Sequence, residues 1–476
     1  MADEDRTEEQ RKSYRPIDAE GFRAEIGRNW GPVDRTVVLP EGLAEAAAEH
    51  RRKLSTALPG RRIALAAGRA PVRSNDTDFR FRADSDFVWL TGCQAEGAVL
   101  VLSADGDTTL YLRETAGPDE ADYFANARDG ELWVGPVPGL KDWSEALQIA
   151  CRPIEELPSA VRGAVPFMLT TPDVEPMLDA LVRTSAADGG VLRQTLAELR
   201  RIKDDWELDQ LREAVDASVQ GFADVARELP EAIRGGGERW LEGTFDRRAR
   251  TAGNGVGYAS IVAAGPHAPV LHWVRNDGAV REGDVILLDA GVETRTLYTA
   301  DVTRTFPATG EFTVAQRQVY DLVHKAHLAA LEVVRPGSPY RAFQYEAMRV
   351  LVEGLRDWGV LDVSLDEALG PDGQQHRRYV VCGLGHFIGL DVHDCDAARP
   401  ETYFAADLEV GMALAVEPGL YFHPHDETVP PELRGVGIRI EDNVVVHADR
   451  LEILTESLPI TPDGLEQWVQ SHRHAG

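Results

Sequence analysis

Val285-Ile-Leu-Leu-Asp289-Ala-Gly291 is a short apolar run that ends in a carboxylate beside a glycine turn. Read as a strand, it sets Asp289 at the rim of a core. After a polar, turn-like stretch the chain continues Thr299-Ala-Asp301-Val-Thr303-Arg304-Thr305. A hairpin between the two segments would lay Asp301 alongside Asp289. Two carboxylates a few ångströms apart repel strongly unless a cation or a shared proton neutralises them. Either aspartate alone is an ordinary strand end, so the reading depends on what accompanies the pair.

The same pattern recurs downstream. Ala413-Leu-Ala-Val-Glu417-Pro-Gly is a β run ending in glutamate, and Ile438-Arg439-Ile440-Glu441 alternates, with the isoleucines on one face and Arg439 and Glu441 on the other. Between these segments and the aspartates lies Gly383-Leu-Gly-His386-Phe-Ile-Gly389-Leu-Asp391-Val-His393-Asp394. The two histidines, separated by an odd interval, need a bend between them to face one cleft. Asp289, Asp301, Glu417, Glu441 and His386 together form a hard, oxygen-rich donor set. That set suits two bridged divalent ions such as Mn²⁺, not a structural zinc, which favours Cys and His. Such a pair can supply hydroxide at neutral pH and polarise a carbonyl, which amide hydrolysis requires.

The 476 residues exceed one ordinary core and predict two domains. Residues 1–35 are dense in charge and read as a mobile or loosely docked arm. Residues 36–190 carry short apolar runs, Ile63-Ala-Leu-Ala, Phe87-Val-Trp-Leu, Ala98-Val-Leu-Val-Leu and Thr109-Leu-Tyr-Leu, with helical stretches at Ala44–Leu58 and Trp143–Cys151. This predicts an α/β domain, closed by a turn-rich break at Ala186-Ala-Asp-Gly-Gly190. Residues 191–476 open on leucines at helical spacing and then mix strands with helices near Ala315–Val334 and Tyr340–Trp358. The net charge of −29 argues against a nucleic-acid partner. No apolar run reaches the roughly 20 residues of a membrane span. Cys93, Cys151, Cys382 and Cys395 form no CxxC pair; with a polar N-terminus they point to the cytoplasm.

The segments Leu288-Asp-Ala-Gly, Ala300-Asp-Val-Thr-Arg-Thr-Phe, Gly385-His-Phe-Ile-Gly-Leu-Asp-Val-His-Asp, Val416-Glu-Pro-Gly-Leu-Tyr and Gly435-Val-Gly-Ile-Arg-Ile-Glu-Asp resemble the aminopeptidase P and prolidase branch of the pita-bread metallopeptidases. Their order and spacing match over roughly residues 195–465, and Asp86-Phe-Val-Trp-Leu-Thr-Gly is similar to that branch's creatinase-type N-domain. The resemblance implies an α/β creatinase-like domain followed by an α+β pita-bread catalytic domain. It implies two metal ions, with Asp289 on one, Asp301 and Glu441 bridging both, and His386 and Glu417 completing the other shell. Glu417 is implied as proton shuttle and His272 and His393 as cleft histidines; Tyr421 and Arg439 are implied to orient the carboxylates. The reaction implied is attack of a metal-held hydroxide on the bond before a penultimate proline, and relatives are often dimers or tetramers.

Three departures accompany the resemblance, one of them Val88, which stands where relatives can carry an aromatic that helps shape the pocket. Cys382 stands where the family commonly has histidine, and the Asp289–Asp301 interval is one residue longer than usual. A bulge or a looser turn would absorb the extra residue. The leading expectation is an Xaa-Pro aminopeptidase acting on peptides with proline second. Prolidase, which takes only Xaa-Pro dipeptides, is the close alternative, and a pita-bread protein turned to another task is the third. His324 and His327 read as surface residues on a helix, and His423, His425, His472 and His474 as exposed or frayed positions. Arg234-Gly-Gly-Gly237 reads as a flexible loop rather than a phosphate cradle.

Overall fold

In the computed structural model, residues 19–162, 168–182 and 185–473 are described. Residues 1–18 of the expected arm, and His474, lie outside them. The chain divides into two compact units between Leu192 and Arg193.

The first unit is built on a five-stranded sheet. Its strands are β1 (Arg62–Ala66), β2 (Val99–Leu102), β3 (Thr108–Leu112), β4 (Ala150–Pro153) and β5 (Met168–Leu169), in the spatial order β4-β3-β2-β1-β5. The pairs β1–β2 and β2–β3 are antiparallel, whereas β3–β4 and β1–β5 are parallel. Helices include α1 (Glu20–Ile26), α2 (Leu43–Ala57), α3 (Ser85–Thr91) and α4 (Leu140–Leu147). Three of the four apolar runs form β1, β2 and β3. Phe87-Val-Trp-Leu does not: it lies in α3. Asp84 caps the first turn by accepting from the Phe87 N–H, and Gly92 ends the helix with φ 69°. A capped start and a left-handed glycine stop outweigh the strand preference of four apolar residues. Within the arm, Trp30 packs edge-on against Tyr123 and Phe124, and Arg35 makes a two-pronged ion pair with Glu131.

The expected break at 186–190 is also corrected. Residues Ala186–Arg200 form a helix, α5, whose first turn is closed by the Ser185 hydroxyl accepting from the Asp188 N–H and donating to its carboxylate. That reciprocal cap offsets the cost of about 1 kcal/mol per helical glycine.

The second unit holds α6 (Asp205–Glu231), α7 (Gly237–Ala252), α8 (Val314–Val333), α9 (Arg341–Asp357) and α10 (Pro462–Arg473). A reciprocal Asp204–Glu207 cap starts α6, and Leu208, Leu211, Val215, Phe222 and Val225 line its buried face. Arg234-Gly-Gly-Gly237 is a tight wound turn joining α6 to α7, with Gly235 at φ 146°. Strands β6 (Ile261–Ala264), β7 (Val285–Asp289) and β8 (Thr303–Pro307) form an antiparallel sheet with β7 central. Every residue of β7 is buried, as its unbroken apolar run requires. A four-stranded sheet follows in the order β9 (Gly385–Phe387), β10 (Ala413–Val416), β13 (Asp442–Val446), β14 (Leu451–Ile453); β11 (Gly419–Tyr421) pairs with β12 (Gly437–Arg439). An isolated bridge between Thr303 and Glu441 links the β8 sheet to the segment joining β12 and β13. The α/β unit followed by an α+β unit is the expected architecture. Among the described residues no helix is long and apolar enough to cross a membrane.

Two histidine assignments fail, for His472 is not frayed but held in α10, its Nδ1 2.8 Å from the Trp468 carbonyl, and His327 is not at the surface. His327 is 0% exposed. It falls on the same face of α8 as Val323 and Ala330, both buried, and meets the Asp442 carboxylate at 3.3 Å. Burial pushes its pKa down to about 4, against the pull of Asp442.

Candidate metal centre

The β7–β8 hairpin brings the two aspartates together. Asp289 pairs with Thr303, and the register runs unbroken to the Glu293–Thr299 bridge. No bulge intervenes. In the turn Leu297 adopts φ 71° and the Thr294 N–H donates to the Tyr298 carbonyl at 2.8 Å. Gly291 is required by close approach, since a Cβ there would lie 1.8 Å from the Ala300 carbonyl oxygen.

His386 and Glu417 come from neighbouring strands. In the β9–β10 pair His386 lies opposite Ala415, and Glu417 follows β10 with its N–H bonded to the Leu384 carbonyl. His386 Nδ1 is 3.0 Å from the Phe387 carbonyl, which leaves Nε2 facing Asp301 at 3.3 Å and Glu417 at 3.7 Å. Holding one ring nitrogen on a carbonyl fixes the tautomer whose other nitrogen is a ligand. Ligand atoms of Asp301, His386 and Glu441 lie within 4.8 Å of one another.

A second set of contacts orients these groups. Arg439 donates to Asp289 Oδ2 at 2.5 Å, to Thr303 Oγ1 at 3.1 Å and to the Tyr421 hydroxyl at 3.0 Å. Tyr258 donates to Asp289 Oδ1 at 2.6 Å, and Thr303 to Glu441 Oε2 at 2.6 Å. Asn443 clamps the Asp301 backbone, accepting from its N–H and donating to its carbonyl. Sequence reasoning named Arg439 and Tyr421 but passed over Tyr258, Thr303 and Asn443. Thr303 lies inside the Asp-Val-Thr-Arg segment already singled out, whereas nothing in the local sequence marks Tyr258.

The other expected site residues are placed as follows. His393 stacks edge-on against His386 with ring centroids 4.5 Å apart; the required bend is the 388–393 loop, closed by the Asp394 N–H on the Phe387 carbonyl. His272 is exposed; burial and then His386 lower the His393 pKa, against the Asp301 charge and with a smaller contribution from His272. Cys382 is half-buried, and burial followed by the Glu417 charge pushes its thiol up. His423 and His425 are exposed.

The electrostatics ask for positive charge. Burial pushes the Glu417 carboxyl up to about 7, against His386 and Arg439 and with the Asp301 and Asp289 charges adding to the shift. Burial, then the Asp301, Glu417 and Asp289 charges, raise Glu441 well above the carboxylate range. Among the described residues Glu441 Oε1 is a buried acceptor with no hydrogen-bond donor. A cluster of acceptors with one oxygen left over fits divalent cations, and the donors are the hard oxygens plus imidazole that such ions take.

Residues 209–448 match the family described as Metallopeptidase family M24. The chain belongs to metallopeptidase family M24. Ahead of the M24 region, residues 47–166 match the aminopeptidase P N-terminal domain. Among M24 relatives, the chain is 44% identical to Xaa-Pro aminopeptidase 2 of Streptomyces coelicolor over 462 residues, covering 96% of this chain and 97% of the relative. Solved M24 structures similar to it include the Pseudomonas aeruginosa aminopeptidase PepP, at TM-score 0.79 and 29% identity over 92% of this chain and all of that one. Aminopeptidase P from Escherichia coli with the inhibitor Pro-Leu also matches, at TM-score 0.79 and 29% identity, over 90% of this chain and 99% of that one.

Proposed function

We propose that the chain is an Xaa-Pro aminopeptidase, hydrolysing the bond between an N-terminal residue and a penultimate proline. The observation that carries the reading is the cluster of buried Asp301 and Glu441 with half-buried His386, flanked by Glu417 and by Asp289. The name carried by a relative matched along nearly its whole length supports the substrate class. In this proposal Asp289, Asp301, His386, Glu417 and Glu441 hold two divalent ions, Mn²⁺ by donor chemistry. When bound, such a pair supplies Lewis acidity and makes water a nucleophile at neutral pH.

The remaining steps belong to the protein. Glu417 takes the proton of the attacking water and passes it to the proline nitrogen, which has no N–H of its own. Arg439, tied to Asp289 and Tyr421, keeps the Asp289 carboxylate turned toward the cleft. His272 and His393 hold the peptide from the open side.

Residues 36–190 are assigned to the N-terminal domain, 191–476 to the catalytic domain and 1–35 to an arm. Four free cysteines support a reducing, cytoplasmic setting. A homo-oligomer, dimer or tetramer, is proposed by resemblance, with light scattering as its check. The acidic net charge leaves peptides, not nucleic acid, as partners.

The deciding experiment is turnover of Xaa-Pro-Xaa and Xaa-Pro peptides by protein loaded with Mn²⁺. Tripeptide cleavage that falls by about 10²–10⁴ in Glu417→Gln is expected. Cleavage of dipeptides alone would make the protein a prolidase, and protein that takes up no Mn²⁺ would end the peptidase reading.

A further inference from the structure

Outside the ring of ligands, one buried carboxylate gathers an unusual number of donors. Glu238 lies in the first turn of α7 and is 0% exposed. Its Oε1 accepts from the Ala264 N–H at 2.8 Å and contacts His267 Nδ1 at 2.7 Å. Its Oε2 accepts from the Trp273 indole N–H at 2.8 Å and from the Gly278 N–H at 2.6 Å. The Glu238 backbone N–H donates in turn to the Gly278 carbonyl at 2.9 Å. All these partners belong to one stretch, 264–278, and they bracket the exposed residue His272.

The stretch is built around that hub. The Trp273 ring stacks on His267, centroids 3.9 Å apart and 21° from parallel, and the Arg275 guanidinium lies 4.9 Å from the Trp273 ring centre. Asn276 accepts from the Val262 N–H and donates to the Ser260 carbonyl, both at 2.9 Å. A Cβ at position 278 would fall 2.4 Å from the His267 ring and 2.7 Å from Glu238 Oε2. The residue next to His272 is therefore locked by a hydrogen bond and a stack, while His272 itself makes none of these contacts. A carboxylate at a helix start needs partners to be buried at all, and a purely structural staple would satisfy that need anywhere in the fold. Here all four donors come from the segment that carries a cleft histidine.

We propose that Glu238 is a positioning residue for His272: it clamps the 264–278 segment so that the imidazole is presented to the cleft beside His393. The proposal rests on the aminopeptidase reading for the role of His272, and on the geometry alone for the clamp. Glu238→Gln keeps the shape but turns an amide N–H₂ toward two of the four donors. Trp273→Phe removes only the indole N–H and keeps a ring against His267.

The test is a pair of double-mutant cycles with Mn²⁺-loaded protein and an Xaa-Pro-Xaa peptide. Glu238→Gln and Trp273→Phe should each lower kcat/KM by roughly tenfold, and neither should lower it further in a His272→Ala background, as expected for residues acting through one another. Bound Mn²⁺ should be unchanged in all variants. Losses that multiply with His272→Ala, or loss of metal, would overturn the proposal, because Glu238 would then act on the fold at large. If Glu238→Gln does not fold, Trp273→Phe decides alone. Wild-type protein that cleaves no such peptide would refute the aminopeptidase reading only. The clamp is then read from the His272 imidazole proton resonance, assigned by its loss in His272→Ala. A shift in that resonance with Trp273→Phe supports the clamp, and an unmoved one rejects it.

Discussion

Lys203 Nζ donates to Asp394 Oδ2 at 2.8 Å, with both side chains 1% exposed. Arg200 donates to the other carboxylate oxygen, so two cations close on one buried anion from the segment joining α5 and α6. Asp394 follows His393 directly, and its N–H closes the 388–393 loop on the Phe387 carbonyl. The triad therefore anchors the loop that carries His393, whose ring packs on His386. Lys203→Met leaves Asp394 half-paired in a dry site, and breaking a buried ion pair in this way costs about 3–5 kcal/mol. Urea unfolding at neutral pH measures it; a loss within the range of a surface pair, about 0–1 kcal/mol, would show the triad to be well solvated.

The same triad gives a pH dependence. Burial opposes ionisation of Asp394, yet the Arg200 and Lys203 charges hold its pKa down to about 2. A carboxyl lowered on folding contributes stability in full above its unfolded value, near 3.8, and loses it as pH falls toward the folded value. The stability gap between wild type and Asp394→Asn should accordingly be widest at neutral pH and narrow as pH falls from about 5 through the folded value of about 2. A gap that stays constant over that interval would assign the stabilisation to packing.

Thr303 touches both Arg439 and Glu441 through a single hydroxyl. Thr303→Val keeps the shape of β8 and removes that link, leaving both Glu441 oxygens without a fixed donor. Loss of a group that orients a ligand carboxylate lowers metal affinity by about 10–100-fold. Mn²⁺ titration calorimetry reads the effect, and an unchanged affinity would mean that the Arg304 bond to the Glu441 carbonyl suffices to hold the ligand.

How much of this was legible in the sequence depended on whether local pattern and chain context agreed. The strand ending at Asp289, the alternation at Arg439 and Glu441, and the bend between His386 and His393 follow from side-chain period and glycine placement, and each has its counterpart in the structure. Phe87-Val-Trp-Leu and Ala186–Gly190 depart from their local pattern because caps at Asp84 and Ser185 decide their conformation, and a cap is one polar residue outside the run it controls. His327 departs from its surface pattern for another reason. Its neighbours on α8 are three and four residues away and bury it, while its partner Asp442 is remote in sequence. The contacts of Tyr258, Asn443 and Glu238 are likewise made across the fold, so no local pattern announces them.

Cys382 stands where the sequence resemblance leads to a histidine. Burial and the adjacent Glu417 charge both push its thiol up, so at neutral pH it stays protonated and is no base. Cys382→Ala should then lower kcat far less than the roughly 100-fold that removal of a proton-transfer group costs, with bound Mn²⁺ unaltered. Steady-state kinetics on a tripeptide decide the matter. A loss of 100-fold or more would assign the thiol a part in the proton path and make Cys382→His the informative next variant.

The carboxylate ring makes stability itself a reporter of metal. Asp289 and Glu441 are both raised by burial, with further contributions from neighbouring carboxylates; Arg439 opposes the rise at Asp289 and the Thr303 hydrogen bond opposes it at Glu441. Gathering these raised carboxyls with Glu417 in one cluster is unfavourable to folding, although the His386 contact holds Asp301 low against its burial, and divalent ions that bind only the folded chain reverse that cost by mass action. At a free ion concentration 100 times Kd the gain is about 2.7 kcal/mol per ion. Chelation should thus lower Tm, and added Mn²⁺ should restore it in a concentration-dependent way. Asp301→Asn separates this effect from unspecific ionic stabilisation. It removes one charge of the repelling set and one shared ligand together, so the variant should lose most of the Mn²⁺-dependent rise in Tm. An equal rise in wild type and Asp301→Asn, followed by differential scanning calorimetry, would locate the stabilising ion elsewhere on the acidic surface and would remove the ring as the metal centre.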